Sequence, residues 1–268
     1  MDEKMIAETI EKNRNFMKSS FGHVTFQSDQ QKLLPQPPLV KAAQSDERIP
    51  LTMDFDGVIT EHDYLKLLQD RVSNRFYAQE PMTLEQLAFL LWSTQVVRAI
   101  RGKNYAALRP VPSGGARHAF ETYLAVSNVK DLPQGVYHYL PMEHALEPIA
   151  LQEGMADTVA SCACDQKWAG KAAVCFIYTA VAYRAEWRYS VNAHRVMLID
   201  TGHVVQNLYL SAQAIGCGTC AIAAFKQEAT DALLHIDGKE EYTIYMAPVG
   251  VRDESRNEAG TKSLYANV

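Results

Sequence analysis

Several stretches of this chain carry residue types that can do chemistry. Asp54-Phe55-Asp56-Gly57-Val58 sets two carboxylates one residue apart, as a phosphoryl-transfer loop would, with one Asp as nucleophile and the other as acid and base. Such a pair should end a buried apolar strand. Here Ile49-Pro50-Leu51-Thr52-Met53 precedes it, short and interrupted by a proline. No later pair of aspartates follows an apolar strand to hold magnesium, so the stretch reads as a surface turn. Cys217-Gly218-Thr219-Cys220 has redox spacing, but a reactive pair should open a helix, and this one follows a helix in a glycine-rich stretch. Cys162-Ala163-Cys164 cannot complete a zinc site with it. These read as buried or incidental thiols. His138, His144, His194 and His203 are scattered without metal-ligand spacing and default to structural roles, so no metal is expected. Neither G-x-G-x-x-G nor G-x-x-x-x-G-K-[ST] occurs, which removes the usual dinucleotide and P-loop fingerprints.

The informative element is Arg71-Val72-Ser73-Asn74-Arg75. On a helix or tight turn, positions i and i+4 put both guanidinium groups on one side with the serine hydroxyl near them. Arginine offers a rigid fork of donors that suits phosphate and the polar edge of a planar ring. Alone, the pattern fits a solvated helix end equally well. It is followed by Arg109-Pro110-Val111-Pro112-Ser113-Gly114-Gly115-Ala116-Arg117-His118, where the glycines allow close backbone approach. Arg195 and Asp200-Thr201-Gly202-His203-Val204-Val205-Gln206-Asn207-Leu208 come next, then Gly216-Cys217-Gly218 and Ala223-Ala224-Phe225.

The elements that must position these residues can be read in outline. A short helix is expected over 64–71. Thr83-Leu84-Glu85-Gln86 is a capping box, opening a helix with Leu84, Leu87 and Leu91 on one face that runs to about residue 100. Residues 109–115 form a loop. Strands at 122–126 and 135–140 flank a turn signal, Leu132-Pro133-Gln134-Gly135, and suggest a hairpin. Helix is expected at 153–164, a buried strand at 172–181, and a long helix over 193–215 with Gly216 as its stop. A helix at 226–235 and a strand at 242–249 complete the reading. Helices and strands without a β-α-β rhythm indicate α+β.

Composition sets the class. The chain has 268 residues, 47% hydrophobic and 21% charged, enough for one large domain or two small ones. Twenty-six Lys+Arg against 31 Asp+Glu leave a net charge of −5, which argues against a nucleic-acid partner. The longest nearly apolar run, 172–183, is about half of a membrane crossing, so no membrane is expected. Met1-Asp2-Glu3-Lys4 is not followed by a secretion-signal core. An odd five cysteines and no Asn-x-Ser/Thr sequon favour a reducing, cytoplasmic setting. Residues 1–60, with the stiff Pro35-Gln36-Pro37-Pro38, read as an irregular N-terminal arm, and 61–268 as the main domain.

Taken in order, the Arg71/Ser73/Arg75 triplet, the 109–117 loop, the 195–210 run and the glycine-rich turn ending Ala224-Phe225 resemble the nitroreductase superfamily, specifically its SagB-type dehydrogenase branch. The resemblance covers about residues 63–252, and the arm is similar to that branch's leader. It implies an α+β nitroreductase-like fold, an antiparallel or mixed central sheet flanked by helices, in an intertwined homodimer with FMN at the subunit interface. It implies FMN contacts from Arg71, Ser73 and Arg75, and from Pro112, Ser113 and Gly114 of the partner-reaching loop. Gly216 and Gly218 match the turn before Ala223 and Ala224, whose backbone faces the flavin N5, and Arg252 supplies a second phosphate contact. Ala224 stands where the family usually has glycine. His203 and Asn207 fall on the central dimer helix and are structural.

The implied activity is two-electron hydride transfer through the flavin, NAD(P)H-linked, on a small-molecule substrate. The branch's azoline oxidases carry a Lys-Tyr pair thought to act as base. Here the pair is Arg188-Tyr189, and arginine is effectively always protonated. Tyr189 reads equally as the catalytic residue or as a core aromatic. Two alternatives stay open: a thiazoline/oxazoline peptide dehydrogenase, and a flavin-binding or scaffold homologue without turnover.

Overall fold

The computed structural model describes residues 2–23 and 27–256. In chain order the elements are α1 (Glu3–Phe16), β1 (Ile49–Pro50), α2 (Tyr64–Asp70), α3 (Leu84–Gln95), β2 (Ala99–Arg101), β3 (Ala106–Leu108), β4 (Phe120–Val126), β5 (Gly135–Leu140), β6 (Ala145–Leu151), α4 (Met155–Cys162), β7 (Val174–Val181), α5 (Tyr183–Tyr189), α6 (Ala193–Ala214), β8 (Cys217–Thr219), α7 (Gln227–Leu233) and β9 (Glu241–Val251). A seven-stranded sheet in the order β1-β6-β5-β4-β7-β9-β8 is antiparallel at every pairing. β2 and β3 form a separate hairpin.

β7 is apolar except at Thr179, whose hydroxyl donates to Glu241 at 2.6 Å, and period-two alternation explains why. Val174, Phe176, Tyr178 and Ala180 face the layer built by α3 and α6. Cys175 and Ile177 face the opposite layer, with Met155, Val159 and Cys162 of α4. Both faces of the strand are covered, so both are largely apolar. The Thr83 box caps α3 as expected, with reciprocal bonds to Gln86. α3 stops at Gln95, short of residue 100, because the chain turns into β2. α6 ends before Gly216, whose φ of 73° needs no Cβ penalty.

The N-terminal segment is not wholly irregular. Asp2 caps α1 through the Met5 N–H at 2.8 Å, and α1 buries none of its residues. Further on, the chain crosses the α4 side of the sheet over a buried ionic cluster. His138 lies between Glu147 (2.8 Å) and Glu121 (3.0 Å). Glu121 also pairs with Arg184 and accepts the Lys41 N–H, and Glu147 accepts the Gln44 and Ser45 N–H groups. Lys41 Nζ reaches Glu241 at 2.6 Å and the Tyr123 hydroxyl at 2.8 Å. The 54–58 stretch is the surface turn expected of it, with the Asp56 N–H donating to Asp54. Among the described residues no helix is long and apolar enough to cross a membrane.

Candidate functional site

The Arg71–Arg75 stretch is extended, not helical. Arg71 closes α2 with φ −63° and ψ 117°, and from there the chain runs beside the far edge of the sheet. Asn74 N–H donates to the Thr219 carbonyl at 2.9 Å, and Ala78 N–H to that of Val251 at 2.9 Å. The expected i, i+4 grouping is therefore replaced by extended backbone, in which Arg71 and Ser73 both meet Tyr209 and the Arg75 guanidinium lies 5.5 Å from the Trp168 ring centroid. Tyr77 pairs with Arg252, which brings Arg252 alongside. A Cβ on Gly218 would lie 2.7 Å from Asn74 Cβ and 3.0 Å from Arg252 Cγ. Glycine is what allows β8 and the 71–76 segment to approach.

These elements enclose a cleft of about 840 Å³ lined by Lys66, Ser73, Arg75, Gly216, Arg252 and Arg256 among others. Arg71 is not in its lining. Its guanidinium lies 5.6 Å from the Tyr209 ring centroid. Tyr209 also stands 3.2 Å from the Ser73 hydroxyl, and its oxygen accepts the Ala221 N–H at 2.9 Å. Through Tyr209 the segment bearing Ala223 and Ala224, both exposed, is tied to Ser73. Sequence reasoning missed Tyr209 because it fills an unmarked position of the 195–210 run.

Pro112, Ser113 and Gly114 lie elsewhere. Asp200 Oδ2 accepts the Ser113 hydroxyl at 2.7 Å and the Gly114 N–H at 2.9 Å. Burial pushes the Asp200 carboxyl up, and these two donors oppose the rise. Asp200 and Tyr209 are both on α6, nine residues and so about 13 Å apart along its axis. One chain thus holds the two groups of site residues at separate places on one helix. Tyr189 belongs with the Ser113 group: a Cβ on Gly115 would come within 2.7 Å of its hydroxyl and 2.5 Å of Arg188 Nε. Just N-terminal to Asp200, α6 exposes Leu198 (49%) and Ile199 (48%). Asn207 donates to the Ser93 carbonyl of α3 at 2.9 Å, a structural contact, and His203 is 3.9 Å from Asp200.

Cys217 and Cys220 are buried free thiols. Burial pushes the Cys217 thiol up to about 12 and raises Cys220 as well, the reverse of a reactive pair.

The donor set at the cleft suits a phosphorylated flavin. Arg252 Nε is buried with no hydrogen-bond partner among the described residues, a state that costs free energy unless an acceptor arrives. Ser73 and Arg75 offer a hydroxyl and a guanidinium to a phosphate, and Arg252, whose Nη2 is paired with Glu254 at 2.9 Å, offers its Nε. The cleft's size is that of sites for ligands of this kind.

A family model described as the nitroreductase family matches residues 68–251. MJ1384 of Methanocaldococcus jannaschii, named as a nitroreductase, is 32% identical over 70% of this chain and 90% of its own. The microcin B17-processing protein McbC of Escherichia coli is 30% identical over 48% of this chain and 49% of McbC. The trifolitoxin-processing protein TfxB of Rhizobium leguminosarum bv. trifolii is 29% identical over 48% of this chain and 36% of TfxB. The chain thus spans about half or less of the length of the two processing proteins. Among solved structures, the E. coli microcin synthetase McbBCD complex with truncated pro-MccB17 shares the fold, with TM-score 0.59 and 21% identity over 93% of this chain and 94% of that one.

Proposed function

The chain belongs to the nitroreductase family, in its SagB-type dehydrogenase branch, and from that premise we propose that it is an FMN-dependent oxidoreductase whose sites are each completed by a second copy of the chain. One observation carries the reading: Ser73, Arg75, Gly216 and Arg252 converge on a single cleft, with the Arg252 Nε buried and unmatched. Members of the family usually bind flavin. When bound, FMN supplies two-electron hydride transfer, and the protein supplies position and field.

The roles of this chain's residues follow from their placement. Arg75 and Arg252 hold the phosphate, and Ser73 adds a hydroxyl donor. Arg71, set against Tyr209, brings positive charge to the polar edge of the ring system. Ala223 and Ala224 present backbone at the rim of the cleft. Pro112, Ser113 and Gly114, fixed by Asp200, serve the site of the other subunit, which is why they lie so far along α6 from Tyr209. The exposed Leu198 and Ile199, beside Asp200 on α6, suit the contact that such a homodimer needs. NAD(P)H is the proposed electron donor.

Similarity to McbC and TfxB supports a second reading, dehydrogenation of heterocyclised peptide, with Arg188 as the departure from the branch's Lys-Tyr pair. The experiment is direct. Purified protein is expected to be yellow, with a flavin for each chain and bleaching by NAD(P)H without oxygen. A colourless protein that takes up no added FMN overturns the reading. A yellow protein bleached by no reductant points to the scaffold alternative.

A further inference from the structure

The cleft uses neither Tyr105 nor the groups that hold it. Tyr105 ends the turn of the β2–β3 hairpin, and its phenol oxygen accepts from Gln30 Nε2 at 3.0 Å and from the Arg188 guanidinium. Arg188 Nη1 also donates to Gln30 Oε1 at 3.2 Å, closing a three-cornered network. Gln30 is itself fixed, its N–H donating to the Trp187 carbonyl at 2.8 Å. The Arg117 guanidinium lies 5.9 Å from the Tyr105 ring centroid and donates to the Tyr105 carbonyl at 3.0 Å. Beside Arg188, the Tyr189 ring centroid is 5.6 Å from its guanidinium. Donors from the N-terminal segment and from α5 thus meet on one oxygen, with a second guanidinium close to the ring.

A guanidinium has donors only, and the Gln30 amide turns its NH₂ toward the phenol. Neither accepts the phenol's proton, and both favour its loss. The phenol is held below the ordinary tyrosine range by the Gln30 donor first, with Arg188 and Arg117 adding to it and burial opposing. Tyr105 is still 38% exposed. Next to the network is a hollow of about 350 Å³ whose lining includes Phe21, Gln30, Arg188, Tyr189 and Asn192, so that it holds the partners of Tyr105 and not Tyr105 itself. It adjoins Gly115, which packs on Arg188 and Tyr189.

We propose that Tyr105 as its phenolate, positioned by Gln30 and Arg188, is the proton acceptor of the active site, for a substrate that reaches it from beside this hollow and that would lose a proton to it while giving up a hydride to the flavin of the proposed function, the oxidant. An O–H bond forms at the phenol oxygen, and a bond from hydrogen to substrate carbon or nitrogen breaks, leaving its electron pair on the substrate. The inference rests on the oxidoreductase reading. It gives Arg188, which cannot be a base, the part of a positioning residue for a neighbouring phenol that can.

The test uses the full chain labelled with ¹³Cζ-tyrosine, titrated by NMR, with the exposed Tyr64 as comparison. One resonance is expected to ionise before the others. It should vanish in Tyr105→Phe, stay low in Arg188→Lys, and move up by about one pH unit or more in Arg188→Gln. A second readout is labelling by an arylsulfonyl fluoride, which modifies ionised phenols. Tyr105 should be modified ahead of Tyr64 at neutral pH, and severalfold less in Arg188→Gln. A Tyr105 resonance that titrates with Tyr64, or labelling of Tyr64 ahead of Tyr105, overturns the proposal. Neither readout needs flavin, so a colourless protein counts against the oxidoreductase reading, whereas an ordinary Tyr105 counts against this one.

Discussion

Ser73 Oγ and Tyr209 Oη lie 3.2 Å apart, and the same tyrosine oxygen accepts the Ala221 N–H. One phenol from α6 thereby fixes two segments of the cleft that are far apart in sequence. Tyr209→Phe removes both contacts. At about 1 kcal/mol for a net hydrogen bond, FMN affinity should fall by about fivefold or more. Quenching of flavin fluorescence on titration measures it.

The two arginines of the triplet should behave differently. Arg75 lines the cleft, so Arg75→Ala should weaken FMN binding by about 1.5–3 kcal/mol, as for a charged hydrogen bond. Arg71 is set against the Tyr209 ring, and Arg71→Ala should cost about 0.5–1 kcal/mol. Dissociation constants for the two variants, measured side by side, check the order. Equal losses would mean that Arg71 swings into the cleft with the ligand.

Gly218→Ala puts a methyl 2.7 Å from Asn74 Cβ, with Arg252 Cγ also close. The segment must move, at about 1–3 kcal/mol for an overpacked site. Both the melting temperature and the flavin content of the purified protein should drop. Gly202→Ala serves as control, since nothing lies within 4 Å of a Cβ there.

Two crippled chains should rescue one another. Arg75→Ala disables the cleft, and Gly114→Trp blocks the loop fixed by Asp200. If each site takes Arg75 from one chain and Gly114 from the other, a heterodimer of the two variants has one intact site and one doubly damaged site. Tandem-tag purification should return flavin that neither parent retains. Persistent absence of flavin from the heterodimer would place both groups in one chain's site.

The ionic cluster predicts a stability profile. Burial opposes charge on His138, but Glu121 and Glu147 outweigh it and raise its folded pKa above 6.5. Burial likewise opposes charge on Glu121 and Glu147. Arg184 chiefly outweighs it at Glu121 and His138 at Glu147, so both fall below 4.5. A raised cationic group contributes fully below its unfolded value and fades as pH rises through the folded one. A lowered carboxylate contributes above its unfolded value and fades as pH falls. Stability from the cluster should therefore be greatest between 4.5 and 6.5 and decline on both sides. Urea unfolding of His138→Gln should lose most of the alkaline decline.

What was legible in the sequence was local or strictly periodic. The Thr83–Gln86 box and the Gly216 stop are decided within a few residues, and β7 shows its double burial as a run that is apolar but for Thr179. The shape of the 71–75 segment was not legible, because it is set by pairing with Thr219 and Val251 across the chain. β6 hid behind Glu147 and Pro148, one satisfied by His138 and the arm, the other at the irregular pairing with Tyr137. The members of the candidate site could be named in order, yet their division along α6 could not. Tyr105 and Tyr209 are single aromatics with no spacing to mark them, and only their neighbours in space give them meaning.

The N-terminal segment is wired into the sheet as well as laid upon it. Lys41 Nζ pairs with Glu241, the Lys41 N–H donates to Glu121 and the Gln44 and Ser45 N–H groups donate to Glu147, and β1 extends the edge at Leu146. Trimming the chain back to residue 61 would therefore take donors from three buried acidic groups, leaving Glu121 with Arg184 and His138, Glu147 with His138 and Glu241 with Thr179, and bare a sheet margin. Shortening of that sort should yield inclusion bodies rather than a minimal enzyme.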